Sequence, residues 1–382
     1  MVREAIWELD QHTKAKHDIL KRYLQAWFPI LSKYNSKIVY IDGFAGPGEY
    51  KGGKIGSPII AINAAKDHII SLKSEIIFWF IEEDNTRCAH LRNILENIET
   101  PPNFKIHVDC GAFDERLSVN LDNIEKQGAK LAPTFAFIDP FGFSDTPFSV
   151  VEKIMKNEKC EVFINIMSGF LNRFKNQDYN KAHIDNLFGT EDWIEVLSKA
   201  SNEEEVVEYY QERLLTIAKY VRSFAMKNNT NQIIYRLIFA TNSYDGLKKM
   251  KEAMWKIDET GSFTYSDTTD PLQTFLYPKE PNYNHLKHLL VLKYNGKIVL
   301  VEDIEKFVVI ETPYRETHFK IPLFVPMEKA NEIEIIESPR KRKFSYPNGT
   351  RIMFKSQSSE IEISDEGEKC ENKQVSLFDF DY

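Results

Sequence analysis

The chain has 382 residues and a formal net charge of −8, from 49 Lys and Arg against 57 Asp and Glu. That length exceeds one small core and predicts two domains with a tail. The acidic balance excludes a general nucleic-acid coat and confines any such surface to a local patch. The longest strongly apolar run, 76–81, is far too short to cross a bilayer. No secretory signal opens the chain, so a cytoplasmic location is expected. Cys88, Cys110, Cys160 and Cys370 are not at metal-binding spacing and are expected to be buried or idle thiols.

In chain order, residues 5–34 read as a helical lead-in within an N-terminal segment 1–36. Trp7, His12, Lys16, His17, Leu20, Tyr23, Leu24 and Trp27 recur at three- and four-residue spacing. Pro29 predicts a break or a new start there. His12, Lys16 and His17 either solvate and cap this helix or place it over a ligand pocket. Residues 37–258 then alternate. Strands are predicted at 38–42, 76–82, 104–109, 134–139 and 161–167, and helices at 57–70, 84–97, 114–127 and 147–156. The strands are near-continuous apolar runs, as expected when helices cover both faces. This is an α/β pattern with a doubly wound parallel sheet. Helical stretches follow at 180–188 and 203–220. Strands 221–226 and 233–240, around a turn-rich link, predict an antiparallel hairpin that closes the sheet.

The stretch 38–48, Ile-Val-Tyr-Ile-Asp-Gly-Phe-Ala-Gly-Pro-Gly, joins the first strand to the helix from Ser57 by a loop holding Gly43, Gly46 and Gly48. Glycines there let backbone approach a ligand, and the helix end adds unpaired N–H groups. Four strands end in acids: Asp42, Glu82, Asp109 and Asp139. Ligands bind beyond the carboxyl ends of strands in such sheets. Asp42 with Phe44 and the glycines would hold an amine or water, Glu82 would accept ribose hydroxyls, and Asp109 would accept an adenine amino group. Ile81 and Cys110 would wall the site. Asp139-Pro140-Phe141-Gly142 forms a rigid turn on which a substrate ring could stack against Phe141. There Asp139 and the Pro140 carbonyl would accept from an amino group. Asn165 and Arg173, just beyond the fifth strand, either contact substrate or phosphate or belong to a plain loop.

Helix 245–257 carries a packing stripe of Leu247, Met250, Met254 and Ile257, with its lysines expected to make one exposed face positive. Residues 259–282 are expected to link the domains. Residues 283–355 read as helices 283–293 and 302–310, then a third helix capped by Thr312 with Pro313 in its first turn. Strands near 332–337 and 350–354 follow, giving a winged-helix pattern. Its wing carries Arg340, Lys341, Arg342 and Lys343 beside Phe344 and Tyr346. Cations and aromatics of this kind suit nucleic acid, with a solvated turn or protein-docking surface as the alternative. Residues 356–382 are polar and acidic and expected to be disordered. Near their end lies Gln374-Val-Ser-Leu377-Phe378, which resembles the short peptide by which bacterial replication and repair proteins plug into the sliding clamp.

Taken in order, Phe44 to Gly48, Glu82, Asp109 and Asp139 to Gly142 resemble the motifs of class I S-adenosylmethionine-dependent methyltransferases. Asp10 to His17, Tyr40 to Tyr50 with Gly56-Ser-Pro58, and Thr312 to Arg315 resemble the three-Cys-motif partner protein (TcmP) family across most of 5–355. The resemblance implies a Rossmann-like methyltransferase sheet binding S-adenosyl-L-methionine, a C-terminal winged-helix-like domain and a radical-SAM-like three-Cys-motif partner. Phe141 stands where amino-methylating enzymes usually carry a second proline. No Pro-Cys nucleophile is present, which disfavours cytosine C5 methylation. The expected function is methylation of nucleic acid, on a DNA base. The alternatives are a non-catalytic DNA-binding scaffold in repair or phage defence, and a magnesium nuclease using the acidic strand ends.

Overall fold

The computed structural model describes residues 6–68, 71–140, 142, 146–167, 181–200, 202–267 and 280–356. Phe141, Arg173, Cys370 and the terminal Gln374, Leu377 and Phe378 lie outside them, as does most of the expected tail. Helix α1 (Gln11–Ser32) leads into β1 (Lys37–Asp42), a small hairpin at 49–55 and α2 (Ser57–Lys66). Then come β2 (Glu75–Glu82), α3 (Asn85–Glu96), β3 (Phe104–Cys110), α4 (Phe113–Lys126), β4 (Thr134–Ile138), α5 (Phe148–Met155) and β5 (Glu161–Ile166). Among the described residues, helices α6 (Lys181–Phe188), α7 (Trp193–Lys199) and α8 (Glu203–Leu215) follow, before β6 (Tyr220–Lys227) and β7 (Ile233–Thr241). Helix α9 (Tyr244–Trp255) and the short β8 (Thr264–Ser266) complete this half.

These strands form one eight-stranded sheet in the order β3-β2-β1-β4-β5-β7-β6-β8. Strands β1 to β5 pair in parallel, and β7 runs antiparallel to both β5 and β6. This is a doubly wound, Rossmann-like order, reversing between β1 and β4, with the expected antiparallel hairpin at its end. Alternation along each strand builds a core on both faces. Tyr40, Phe78, Phe80, Phe135, Phe137 and Phe163 pack against α1, α2 and α9. Val39, Ile41, Ile81, Ile138, Val162 and Ile164 pack against α4, α5, α6 and α8.

Pro29 does not break α1, which continues to Ser32. It lies near the C-terminal end, and burial of Leu24, Trp27 and Phe28 holds the last turn in place. Residues 264–266, expected to be linker, instead extend the sheet beside β6.

The C-terminal half runs α10 (Tyr283–Tyr294), β9 (Ile298–Leu300), α11 (Val301–Glu311), a wide helical turn Lys320–Phe324 into α12 (Val325–Lys329), β10 (Ile333–Glu337) and β11 (Arg351–Phe354). Its three strands are antiparallel, in the order β9-β11-β10. Thr312 does not open a helix. It caps the end of α11, its hydroxyl donating to Val308 O at 2.6 Å. Residues 312–315 instead meet α9. The Lys251 ammonium, almost wholly buried, donates to Val309 O and Thr312 O at 2.8 Å each, to Val308 O at 3.2 Å and to Tyr314 O. Trp255 Nε1 donates to Pro313 O at 2.9 Å. The expected positive face of α9 is therefore not there, since Lys251 points inward, Lys248 pairs with Glu305 and Lys249 with Glu252. Met254 and Trp255 share one apolar cluster with Leu286, Val308, Phe324 and Phe354, so the two halves are not separate cores.

Candidate functional site

Register decides which strand-end acids face one another. Asp42 pairs across to Phe80 and to Phe137, so Glu82 and Asp139, two residues further on, share its face of the sheet. Asp109 pairs with Ile81, on the opposite face. There Asp109 Oδ2 accepts from Trp79 Nε1 at 2.9 Å. The expected rim of four acids is therefore a rim of three, and Asp109 is directed away from it.

The glycine loop turns beside these acids. Gly46 and Gly48 take φ of +62° and +84°, values L side chains rarely adopt. Added bulk at Gly43 would strike Phe113, whose ring atoms lie 2.5 Å from where a Cβ would sit. Gly46 N donates to Glu82 Oε2 at 2.9 Å, and Ala45 N donates to Ile81 O at 2.9 Å. Glu82 also accepts from Asp84 N at 2.9 Å and pairs with Arg87 at 3.5 Å. Its carboxylate thus braces the loop while keeping some acceptor capacity.

Asp42 is fully buried beneath the loop. Phe44 N donates to its Oδ1 at 3.3 Å, and the Ser57 hydroxyl at the start of α2 also bonds to it. Burial pushes its carboxyl up to about 7, the Ser57 and Phe44 bonds opposing and the Asp139 and Glu82 charges adding to the rise.

Above it lies a hollow of about 70 Å³ lined by Phe44 to Tyr50, Gly56, Ser57, Trp7, Thr13, Lys16 and Asp139. The lead-in helix thus closes the site, one of the two readings open from sequence. Lys16 Nζ donates to Asp139 Oδ2 at 2.5 Å and sits 5.2 Å from the Tyr235 ring centre. Asn165 Nδ2 donates to Asp139 Oδ1 at 2.7 Å. His17 is buried against Tyr50, and burial, with the Lys16 charge, lowers it to about 3, so its ring is neutral. His12 bonds Asp267 at 3.0 Å. Sequence spacing places Trp7 only on the lead-in helix, yet it lies over the loop. Its carbonyl accepts from Lys51 N at 2.8 Å, and the Arg87 guanidinium sits 5.4 Å from its ring centre. Nothing in the sequence marks Tyr235, because a tyrosine near the start of a hairpin strand carries no local signal.

Cys110 is no apolar wall. It forms a disulfide with Cys88, tying the end of β3 to α3, which corrects the expectation of idle thiols. Cys160 is a buried thiol, which burial pushes up to about 12. Among the described residues, no group of three or more His, Cys, Asp or Glu is placed to hold a metal ion, and no helix is long and apolar enough to cross a membrane.

On the wing, Arg340 is committed within the chain. Its guanidinium grips both oxygens of Glu328 at 3.1 Å, and the Tyr346 hydroxyl donates to Glu328 at 2.7 Å. Lys341, Arg342 and Lys343 are exposed, with Lys343 and Lys329 both beside the Phe344 ring.

No family model matches the chain, and no curated protein matches it. Among solved structures it is similar to protein LPL1258 of Legionella pneumophila, at 15% identity over 61% of this chain and 85% of that one, TM-score 0.38. It is also similar to the O-methyltransferase TomG of Streptomyces achromogenes in complex with SAM, at 13% identity over 62% and 92%, TM-score 0.34. Human methyltransferase-like protein 13 in complex with SAH is similar at 9% identity over 70% and 96%, TM-score 0.33. Likenesses this low carry no argument, and the fold rests on the strand order itself.

Proposed function

We propose that the chain is an S-adenosylmethionine-dependent methyltransferase acting on nucleic acid, on a DNA base. The observation that carries this reading is the buried Asp42 carboxyl under the glycine loop, on the same sheet edge and face as Asp139. A buried carboxyl with no cation acting on it among the described residues suits a positively charged ligand. The loop backbone at Gly46 and Gly48 offers close approach, and Glu82 can accept ribose hydroxyls with the acceptor capacity the loop leaves it. Bound there, S-adenosylmethionine supplies an electrophilic methyl group. Asp139, with the Pro140 carbonyl, would orient the acceptor. The helix–strand–helix–helix–strand–strand order of the C-terminal half supports a winged helix, and exposed Lys341, Arg342 and Lys343 would meet phosphates. A radical-SAM-like three-Cys-motif partner and the sliding clamp, through Gln374, Leu377 and Phe378, belong to this proposal as partners.

Incubation of the full chain with labelled S-adenosylmethionine and DNA, followed by nucleoside mass spectrometry, tests the reading. A methylated base is expected. A chain that binds neither S-adenosylmethionine nor S-adenosylhomocysteine overturns it. A second reading, a non-catalytic DNA scaffold, is favoured by one feature. The hollow of about 70 Å³ is smaller than sites that enclose drug-sized ligands, on the order of 300 Å³ or more. It predicts DNA binding that survives Asp139→Asn without any methyl transfer.

A further inference from the structure

Beside Asp139 the structure leaves a second acceptor open. Asn165 is buried, and its Oδ1 has no hydrogen-bond partner among the described residues. Its orientation is set chemically, because the Asp139 carboxylate can only accept, so the amide must turn its N–H₂ toward it. The remaining carbonyl oxygen is a buried acceptor whose desolvation is uncompensated. The Tyr235 hydroxyl, on the neighbouring strand and the same face, is buried with the Thr13 side chain as its hydrogen-bond partner. Resting on the function proposed above, we infer that the group recognised here is a neutral amino group on a planar heterocycle, and that Asn165 Oδ1 and Asp139 are the acceptors that read it.

Three features select this class. An amino group carries two hydrogens, enough to reach both acceptors, whereas a hydroxyl supplies one and would face the carboxylate as an anion once deprotonated. Lys16 already brings a positive charge to Asp139, so an alkylammonium would meet like charge while a neutral aromatic amine would not. Tyr235, on the same face as Asn165 and with its ring centre 5.2 Å from Lys16 Nζ, brings an aromatic ring beside these acceptors. Adenine and cytosine present such an edge. Hypoxanthine and uracil replace the amino group with a carbonyl, which would oppose both acceptors.

Calorimetry on the full chain saturated with S-adenosylhomocysteine tests this, using short single strands carrying adenine and cytosine and matched strands carrying hypoxanthine and uracil. The amino strands are expected to bind roughly ten-fold tighter or better. Asn165→Leu is expected to erase that preference while S-adenosylhomocysteine affinity stays within about two-fold. Equal binding of amino and carbonyl strands by the wild-type chain overturns the inference, and that measurement needs no variant. So does binding of S-adenosylhomocysteine with no strand bound, or a preference that persists in Asn165→Leu. Absence of S-adenosylhomocysteine binding instead removes the proposed function itself.

Discussion

Asp42 is the residue whose protonation the site depends on. Its folded carboxyl titrates at about 7, well above the ordinary carboxylate range. In the unfolded chain it ionises near its ordinary value, so the ligand-free fold loses stability as pH climbs from about 4 to about 7, by on the order of 4 kcal/mol. A cationic ligand prefers the ionised form. Affinity for S-adenosylmethionine is therefore expected to rise with pH through 7, and Asp42→Asn is expected to flatten that rise and weaken binding at pH 8. Calorimetry at several pH values reads both, and a pH-independent wild-type affinity would contradict the assignment. Asp139→Asn is expected to keep cofactor binding and lose methyl transfer by at least about 100-fold, measured with labelled cofactor. Asp42, Glu82 and Asp139 were legible as strand-end acids. Asp109 was not separable from them, because sequence shows where a strand ends but not its pairing register, and one residue of offset sends a side chain to the other face.

At the scale of elements, strands and crossover helices were readable from apolar runs and spacing, and the closing hairpin from its turn-rich link. Contacts between distant elements were not. Thr312 and Pro313 look like a helix start, yet they end α11 because Lys251 and Trp255 reach over from α9 to take their carbonyls. Lys251→Met leaves that helix end without its donor and is expected to lower stability by about 3 kcal/mol. A thermal melt unchanged by the substitution would count against the lock. The Cys88–Cys110 bridge closes a loop across 22 residues and escaped notice because only the turn from α3 into β3 brings its ends together. Thiol titration under denaturing conditions without reductant is expected to leave both unreactive, and reduction is expected to cost about 3 kcal/mol.

Over the whole molecule, an acidic chain carries a run of exposed cations, Lys341, Arg342 and Lys343, on the wing. Lys341→Ala with Arg342→Ala is expected to weaken DNA binding and reduce the salt slope by about 2, read by fluorescence anisotropy over a salt series. Arg340→Ala is expected to act differently. It strands Glu328 and loosens the wing, so its signature is a lower melting temperature. An equal loss of salt slope from Arg340→Ala would show that the grip on Glu328 opens to phosphate. Composition exposed the basic run, but only packing shows that its first member is already engaged.

Met254 and Trp255 serve both halves at once. A gene cut between codons 267 and 280 would yield two products, each with an oily flank meeting only water, and neither would be expected to dissolve unless made together. Replacing either half with an unrelated one is expected to carry the same penalty, so the sheet and its C-terminal companion are expected to be exchangeable only as one unit.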